Sequence, residues 1–258
     1  SVEELEKFLL RGSEELVNSN PDNKKKNPMY QRIWTMVYSF LMFILVRNAV
    51  QYALLALLYQ LAQSGASGGL VDLLILRDET GAYNGYSGDV SSIIAALGFI
   101  GGALAVWSTA KLLITKNKEE MHLSHLKKEG KAKYALLVAA TIGAVIGFNL
   151  LFELLGVTNK SEAYTEVAAQ QYSAHFIVGI LVFGFISPIA EELLFRGVIY
   201  GYLRRFMDIK LAIALSALIF GVYHMNYVQG VYGFLIGCLM AYAYEYFGEF
   251  KMAVFVHV

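Results

Sequence analysis

Long apolar stretches alternate with short polar ones along most of this chain. Residues 33–62, 90–115, 134–155 and 173–205 are predominantly apolar, and shorter apolar runs cover about 210–224, 231–247 and 251–258. Each of the first four exceeds the ~20 residues a helix needs to cross a hydrocarbon core of ~30 Å. The pattern predicts an all-α, polytopic transmembrane helical bundle with about seven spans, the seventh starting at Lys251 and expected to continue past Val258. Between the spans, 63–89, 116–133 and 156–172 read as polar loops, and 226–230 as a short turn. Residues 1–19 place Val2, Leu5, Leu9 and Leu16, with Phe8, at helical spacing among Glu and Lys. This predicts a surface or interfacial amphipathic helix, with partner binding as the alternative. Asn18 to Pro28 reads as a linker. Three regions result: 1–32, an amphipathic helix and linker; 33–172, the first spans and their loops; and 173–258, a second membrane region.

Charge gives the spans an orientation. Lys and Arg gather in 1–32, in 116–133 and around 204–210, and are sparse in 63–89, 156–172 and 226–230. Every second loop is basic, which puts those loops and the N-terminus on the cytoplasmic side of a cell membrane. The composition agrees: 57% of residues are hydrophobic, 16% are charged, and the mean hydropathy is +0.49. That excludes a disordered or collagen-like chain. A net charge of zero gives no case for nucleic acid as a partner. Membrane lipids and a membrane-associated peptide or protein are the partners expected, with a regulatory membrane protein as a further one. Cys238 is the single cysteine, so no disulfide framework is available. The first thirty residues lack a cleavable apolar core, so the first span is expected to act as its own uncleaved signal.

Several polar residues have plain structural readings. Arg47, Asn48 and Gln51 lie inside the first span and are expected to face the bundle and bond to neighbours. Gly98, Gly101 and Gly102 give the second span a small-residue face for close helix packing. Gly85-Tyr86-Ser87-Gly88 has the form of the serine motif of rhomboid proteases but stands in a polar loop, and reads as a turn. His122 and His125, near Glu119 and Glu120, are weak as a metal site and read as part of a solvated loop.

The segment Glu191-Glu192-Leu193-Leu194-Phe195-Arg196-Gly197 does not fit so plain a reading. Ionisable groups at membrane depth cost ~2.5–3.5 kcal/mol each or more, so they mark function or tight pairing. On a helix Glu192 and Arg196 stand four residues apart and can pair along one face. Glu191 points about 100° away and is left free for other chemistry. Pro188 cannot donate to the carbonyl of Gly184, which predicts a break one turn before the carboxylates. Glu191 lies thirteen residues before Arg204, and His224 fourteen after Lys210. Both therefore sit ~20 Å from one shared turn, at matching depth in adjacent antiparallel helices. Phe220 shares a face with His224. His257, six residues past Lys251, reaches only ~9 Å by the same count, unless the last helix enters from a deeper re-entrant turn.

If Glu191, His224 and His257 converge, with Glu192 and Arg196 in support, two hydrolytic routes are open. A carboxylate in an apolar site can act as a general base on water, with imidazoles orienting the water or donating to an oxyanion. Alternatively Glu191, His224 and His257 form a zinc set with one open position. Both routes lead to hydrolysis, and an amide bond inside the bilayer is the natural target. A purely structural ion-pair network is the competing reading.

Glu191-Glu192-x-x-x-Arg196, then Phe220-x-x-x-His224, then His257, on consecutive apolar helices, resembles the CAAX protease and bacteriocin-processing family, also called Abi. The resemblance covers residues 173–258. It implies a multi-span intramembrane endopeptidase of the bacterial type, acting on a membrane-associated peptide or protein. It makes Glu191 the general base, assisted by His224, with Arg196 positioning the carboxylates and His257 in the oxyanion site. The family's third motif has Asn or a similar residue four past its His, a position beyond Val258. Members have been treated both as glutamate-type and as metal-dependent, of which the glutamate type, with no cofactor and no zinc, is preferred, and some relatives are linked to bacteriocin immunity. A non-catalytic membrane scaffold or immunity-type regulator on the same fold is therefore the second reading. A small transporter is the third, although the two halves show no repeat.

Overall fold

The computed structural model describes residues 29–122, 131–157 and 161–258. The amphipathic helix expected over 1–19, the linker with its lysines, His125 and Lys160 lie outside the described residues. Helix α1 spans Met29–Gln63, α3 Gly88–His122, α4 Lys131–Leu154 and α6 Phe176–Leu203. Between α1 and α3 lie a five-residue helix α2, Leu70–Leu74, and a small antiparallel ribbon of β1, Leu76–Arg77, and β2, Tyr83–Gly85. Helix α5, Glu162–Tyr172, precedes α6. The chain finishes with α7, Ile209–Tyr223, α8, Tyr227–Phe247, and α9, Phe250–His257.

Among the described residues, α1, α3, α4 and α6 are long and apolar enough to cross a membrane. Helix α7 is equally apolar but has 15 residues, ~22 Å of rise against a ~30 Å core. Large apolar side chains cover the outer surface: Trp34, Leu41 and Leu57 on α1, and Leu136, Ile146 and Leu150 on α4, are all exposed. A helix that is apolar all round has no polar face to give to water, so lipid is its solvent. This is a helical membrane protein.

Two boundaries differ from the sequence reading. The charged loop expected from residue 116 starts later, because α3 continues through Lys116, Lys118, Glu119 and Glu120 to His122. Lys and Glu are strong helix formers, so a span can run on into water without breaking. The turn expected over 226–230 is shorter, since α8 already starts at Tyr227. Asn226 caps it by accepting from the Gln229 N–H, and Met225 takes the left-handed conformation at φ 56°.

The site is built where α6 is enclosed by α3, α7, α8 and α9. Small residues allow the close approach. A Cβ on Gly102 would come within 3.0 Å of the Phe43 carbonyl, so α1 and α3 need glycine there. A Cβ on Gly221 would stand 2.4 Å from the Gly230 carbonyl, so α7 and α8 touch backbone to backbone. Buried Leu194, Phe195, Val198 and Tyr200 of α6 fill the centre. Below them a polar lock ties the basic turn: Arg204 donates from Nε and Nη2 to both oxygens of Glu245, at 2.9 and 2.8 Å, and the Tyr200 hydroxyl donates to the same carboxylate. The polar loop ahead of α3 is held by Arg77, which donates to the carbonyls of Gly81, Ala62 and Ala66. Within it Ser87 Oγ accepts from the Val90 N–H at 3.3 Å, so the Gly85–Gly88 stretch read as a turn joins the end of β2 to the cap of α3.

Candidate active site

Helix α6 is not uniform. Residues Ile180–Ile186 and Leu193–Tyr200 are π-helical, and an α-helical segment, Ser187–Glu192, lies between them. The Ser187 N–H reaches back five residues to the Val182 carbonyl. The break expected at Pro188 therefore takes the form of a shift in hydrogen-bond register, with proline in the first turn after it, where its missing donor does least harm. Such insertions re-aim side chains and are common at functional sites.

The α-segment ends on the two carboxylates. Glu192 and Arg196 have no exposed side-chain surface, and Arg196 Nη1 donates to Glu192 Oε1 at 2.7 Å. Arg196 Nη2 donates to the Gly237 carbonyl of α8 at 3.0 Å, and the guanidinium carbon lies 4.6 Å above the Phe220 ring. His257, from α9, stands between the carboxylates. Its Nδ1 is 2.9 Å from Glu192 Oε1, and its Nε2 is 3.8 Å from Glu191 Oε2. Ser187 Oγ donates to Glu191 Oε1 at 3.4 Å. Glu191 is thus not left free on its own face, as the helical wheel suggested, but shares His257 with Glu192.

His224 ends α7 just before the left-handed Met225. Its Nδ1 lies 2.9 Å from the Phe220 carbonyl. A carbonyl only accepts, so Nδ1 carries the proton and Nε2 is the ring atom left for chemistry. Phe220 organises both imidazoles, its ring edge-on to His224 at 4.8 Å and to His257 at 5.5 Å. No ion pair joins His224 to either glutamate. The five residues singled out from the sequence are therefore brought to one place in two tiers: Glu191, Glu192, Arg196 and His257 in contact, and His224 across from them on the same cavity.

That cavity has a volume of about 550 Å³, and Glu191, His224 and His257 line it together with Ser187, Pro188 and Phe220. Tyr86 and Ser91 of the α3 end, Gln170 and Gln171 of α5 and Gln229 of α8 form its polar part. These belong to the loops and helix ends opposite the basic turn at Arg204. Arg47 of α1 also lines it. An arginine at membrane depth costs ~2.5–3.5 kcal/mol, and the bonds expected for Arg47 account for part of that: its Nη1 donates to the Tyr223 hydroxyl, and its guanidinium lies 4.5 Å over the Phe99 ring. Gln51, one turn on, donates to the Ala95 carbonyl at 3.5 Å.

Glu191, His224 and His257, the zinc set weighed from the sequence, line one cavity. Among the described residues no three His, Cys, Asp or Glu side chains are grouped to hold an ion. Both nitrogens of His257 face carboxylates, and His224 Nδ1 is committed to a carbonyl.

Ser187, Tyr223 and Gly237 were not visible as site residues. Ser187 stands one turn before Glu191, a signal available in principle. Gly237 acts through its backbone, which no residue type announces.

Residues 173–258 match the family model described as Rce1-like, type II CAAX prenyl endopeptidase Rce1-like. The match covers the segment that carries the carboxylate and histidine motifs, so the resemblance read from those motifs holds over the same residues. No curated protein and no solved structure matches the chain.

Proposed function

We propose that this protein is an intramembrane endopeptidase of the multi-pass cell-membrane type, hydrolysing a peptide bond of a membrane-associated peptide or protein with a water activated by Glu191. The observation that carries the reading is the placement of Glu191 on the wall of a substrate-sized cavity, with His257 at 3.8 Å and His224 across the same cavity.

In this mechanism the Glu191 carboxylate takes a proton from water as the water oxygen adds to the scissile carbonyl carbon. Negative charge moves onto the carbonyl oxygen. The His224 ring, held through Nδ1, presents Nε2 to the same space and in its protonated form donates to that oxygen. Collapse of the tetrahedral intermediate breaks the C–N bond, and Glu191 returns its proton to the departing nitrogen. Glu192 and Arg196 do not touch substrate. They are a buried pair that fixes His257, and His257 sets the charge beside Glu191. The cavity's polar part lies at the helix ends away from the basic turn, so substrate enters from the extracytoplasmic face.

The test compares new peptide termini in membranes of cells carrying the wild type or Glu191→Gln. Termini present with the wild type and absent with the variant support proteolysis and name the substrate. Identical sets, while loss of the gene still changes the cells, would favour a non-catalytic scaffold or immunity-type regulator.

A further inference from the structure

We infer that Tyr223 is a second hydrogen-bond donor to the oxyanion formed in the cavity, and that Arg47 acts through it as a positioning residue. The inference rests on the hydrolytic reading above and adds these two residues to its machinery. Arg47 belongs to α1, outside the residues that match the family model.

Tyr223 is the neighbour of His224 at the end of α7, and both line the cavity that contains Glu191. Its ring is held edge-on by Phe195 at 5.1 Å, by the His224 imidazole at 5.6 Å and by Phe40 at 6.4 Å. Packing on several sides leaves the side chain little freedom, so the hydroxyl has a fixed place. That hydroxyl accepts from Arg47 Nη1. The half-buried guanidinium is itself fixed over the Phe99 ring at 4.5 Å.

A phenol also carries one proton to donate. Tyr200 and Tyr227 give theirs to the Glu245 carboxylate and the Val157 carbonyl. For Tyr223 no acceptor stands ready among the described residues, since its oxygen makes its one hydrogen bond by accepting from Arg47. Glu191 does not take the proton, because its Oε1 accepts from Ser187 and its Oε2 faces His257. The donor is left to the cavity, beside the free Nε2 of His224.

The arrangement suits an oxygen that gains negative charge. A cation donating to the phenolic oxygen polarises the O–H bond, and a chain of hydrogen bonds strengthens as its last acceptor becomes more negative. His224 and Tyr223 are successive residues, so one rigid helix end presents both donors. The neutral carbonyl gains little from them and the tetrahedral oxyanion gains most. The phenol keeps its proton throughout: the proton that leaves with the amine is the one Glu191 took from water. A packing role for Tyr223 needs its ring, and its oxygen as acceptor for Arg47, but makes no use of the hydroxyl proton.

The test uses the whole protein in liposomes. The probe is the fastest-cleaved member of a randomised peptide library bearing one acyl chain, prepared with oxygen or with sulfur at the scissile carbonyl. Sulfur is a weak acceptor, so the oxygen-to-sulfur rate ratio reports donors that act on that atom. Tyr223→Phe removes the hydroxyl and keeps the ring. It is expected to lower kcat on the oxygen substrate by ~10²–10³ with KM within about threefold, and to shrink the ratio about tenfold or more. Arg47→Gln leaves the phenol in place and is expected to shrink the ratio by a smaller factor. A wild-type kcat in Tyr223→Phe overturns the inference. So does a slower variant with an unchanged ratio, because a structural role slows both substrates alike. If Tyr223→Phe does not fold, the ratio in Arg47→Gln decides by the same rule. Failure of the folded wild type to cleave any library member removes the peptidase reading, and this inference with it.

Discussion

Arg196→Met tests the claim that the Glu192–Arg196 pair anchors the site without being part of the reaction. Both side chains are fully enclosed, and the variant leaves a carboxylate with no water to turn to. Removing one member of a buried pair costs ~3–5 kcal/mol, since the remaining charge loses its compensation. The Gly237 carbonyl keeps its helical donor but loses the Arg196 hydrogen bond, worth ~0.5–1.5 kcal/mol. Against this, His257 Nδ1 stays at 2.9 Å from Glu192 and can carry the compensating proton. The net expectation is a loss of ~3–4 kcal/mol, toward the lower end of the pair-breaking range. Glu192→Leu should cost a similar amount, because it leaves Arg196 with one carbonyl and the Phe220 face. The double variant Glu192→Leu with Arg196→Met removes both charges at similar volume and should lie within ~1 kcal/mol of the wild type. Equilibrium unfolding in mixed micelles, read by tryptophan fluorescence, measures all four corners of this cycle. The double variant should be folded yet inactive, because His257 has lost its anchor. The reasoning is refuted if Arg196→Met unfolds like the wild type, or if the double variant is no more stable than the worse single one.

Other expectations follow from the same geometry. Glu191→Gln keeps the side chain's shape and should lower peptide hydrolysis by ~10²–10⁴ with little change in the unfolding midpoint; a fully active variant would remove Glu191 as the base. Gly221→Val places atoms where the Gly230 carbonyl stands 2.4 Å from an added Cβ, and should destabilise the α7–α8 hairpin by ~1–3 kcal/mol in the same unfolding assay. In a Cys238→Ala background, Gln170→Cys should react with a membrane-impermeant maleimide on intact cells, and Lys116→Cys should react only after permeabilisation. The opposite pattern would invert the orientation and the proposed side of substrate entry.

The parts legible in the sequence are those that follow from hydropathy and from counting along straight helices. The long spans and the meeting of Glu191 and His224 on one cavity came from one shared turn and 1.5 Å per residue. The same count failed for His257, placed ~9 Å from the turn yet found against Glu192. Residues Leu193–Tyr200 are π-helical, so the α-helical rise assumed in the count does not hold along α6. A register shift of that kind has no residue signature beyond the break marked by Pro188. The extension of α3 through residues 116–122 was hidden for a different reason. Charge marks the end of the membrane, and the sequence reading took it for the end of the helix.

In the proposed mechanism the charges of the site give His257 a part beside Glu191. Two carboxylates and one guanidinium sum to minus one, and a water-poor bundle makes an unbalanced charge costly. One further proton on the Glu191–His257 pair balances the sum. In the proposed mechanism His257 carries that proton, Glu191 acts as the base, and the four groups are neutral together. When Glu191 takes a proton from water, the cluster becomes positive by one as the substrate carbonyl becomes negative by one. The two changes arise in the same cavity and attract each other, so the stabilisation is greatest where the tetrahedral oxyanion forms and small where substrate merely binds. A scaffold would need the Glu192–Arg196 lock alone. The second glutamate, with His257 beside it and His224 across the cavity, is the part that a structural network does not require.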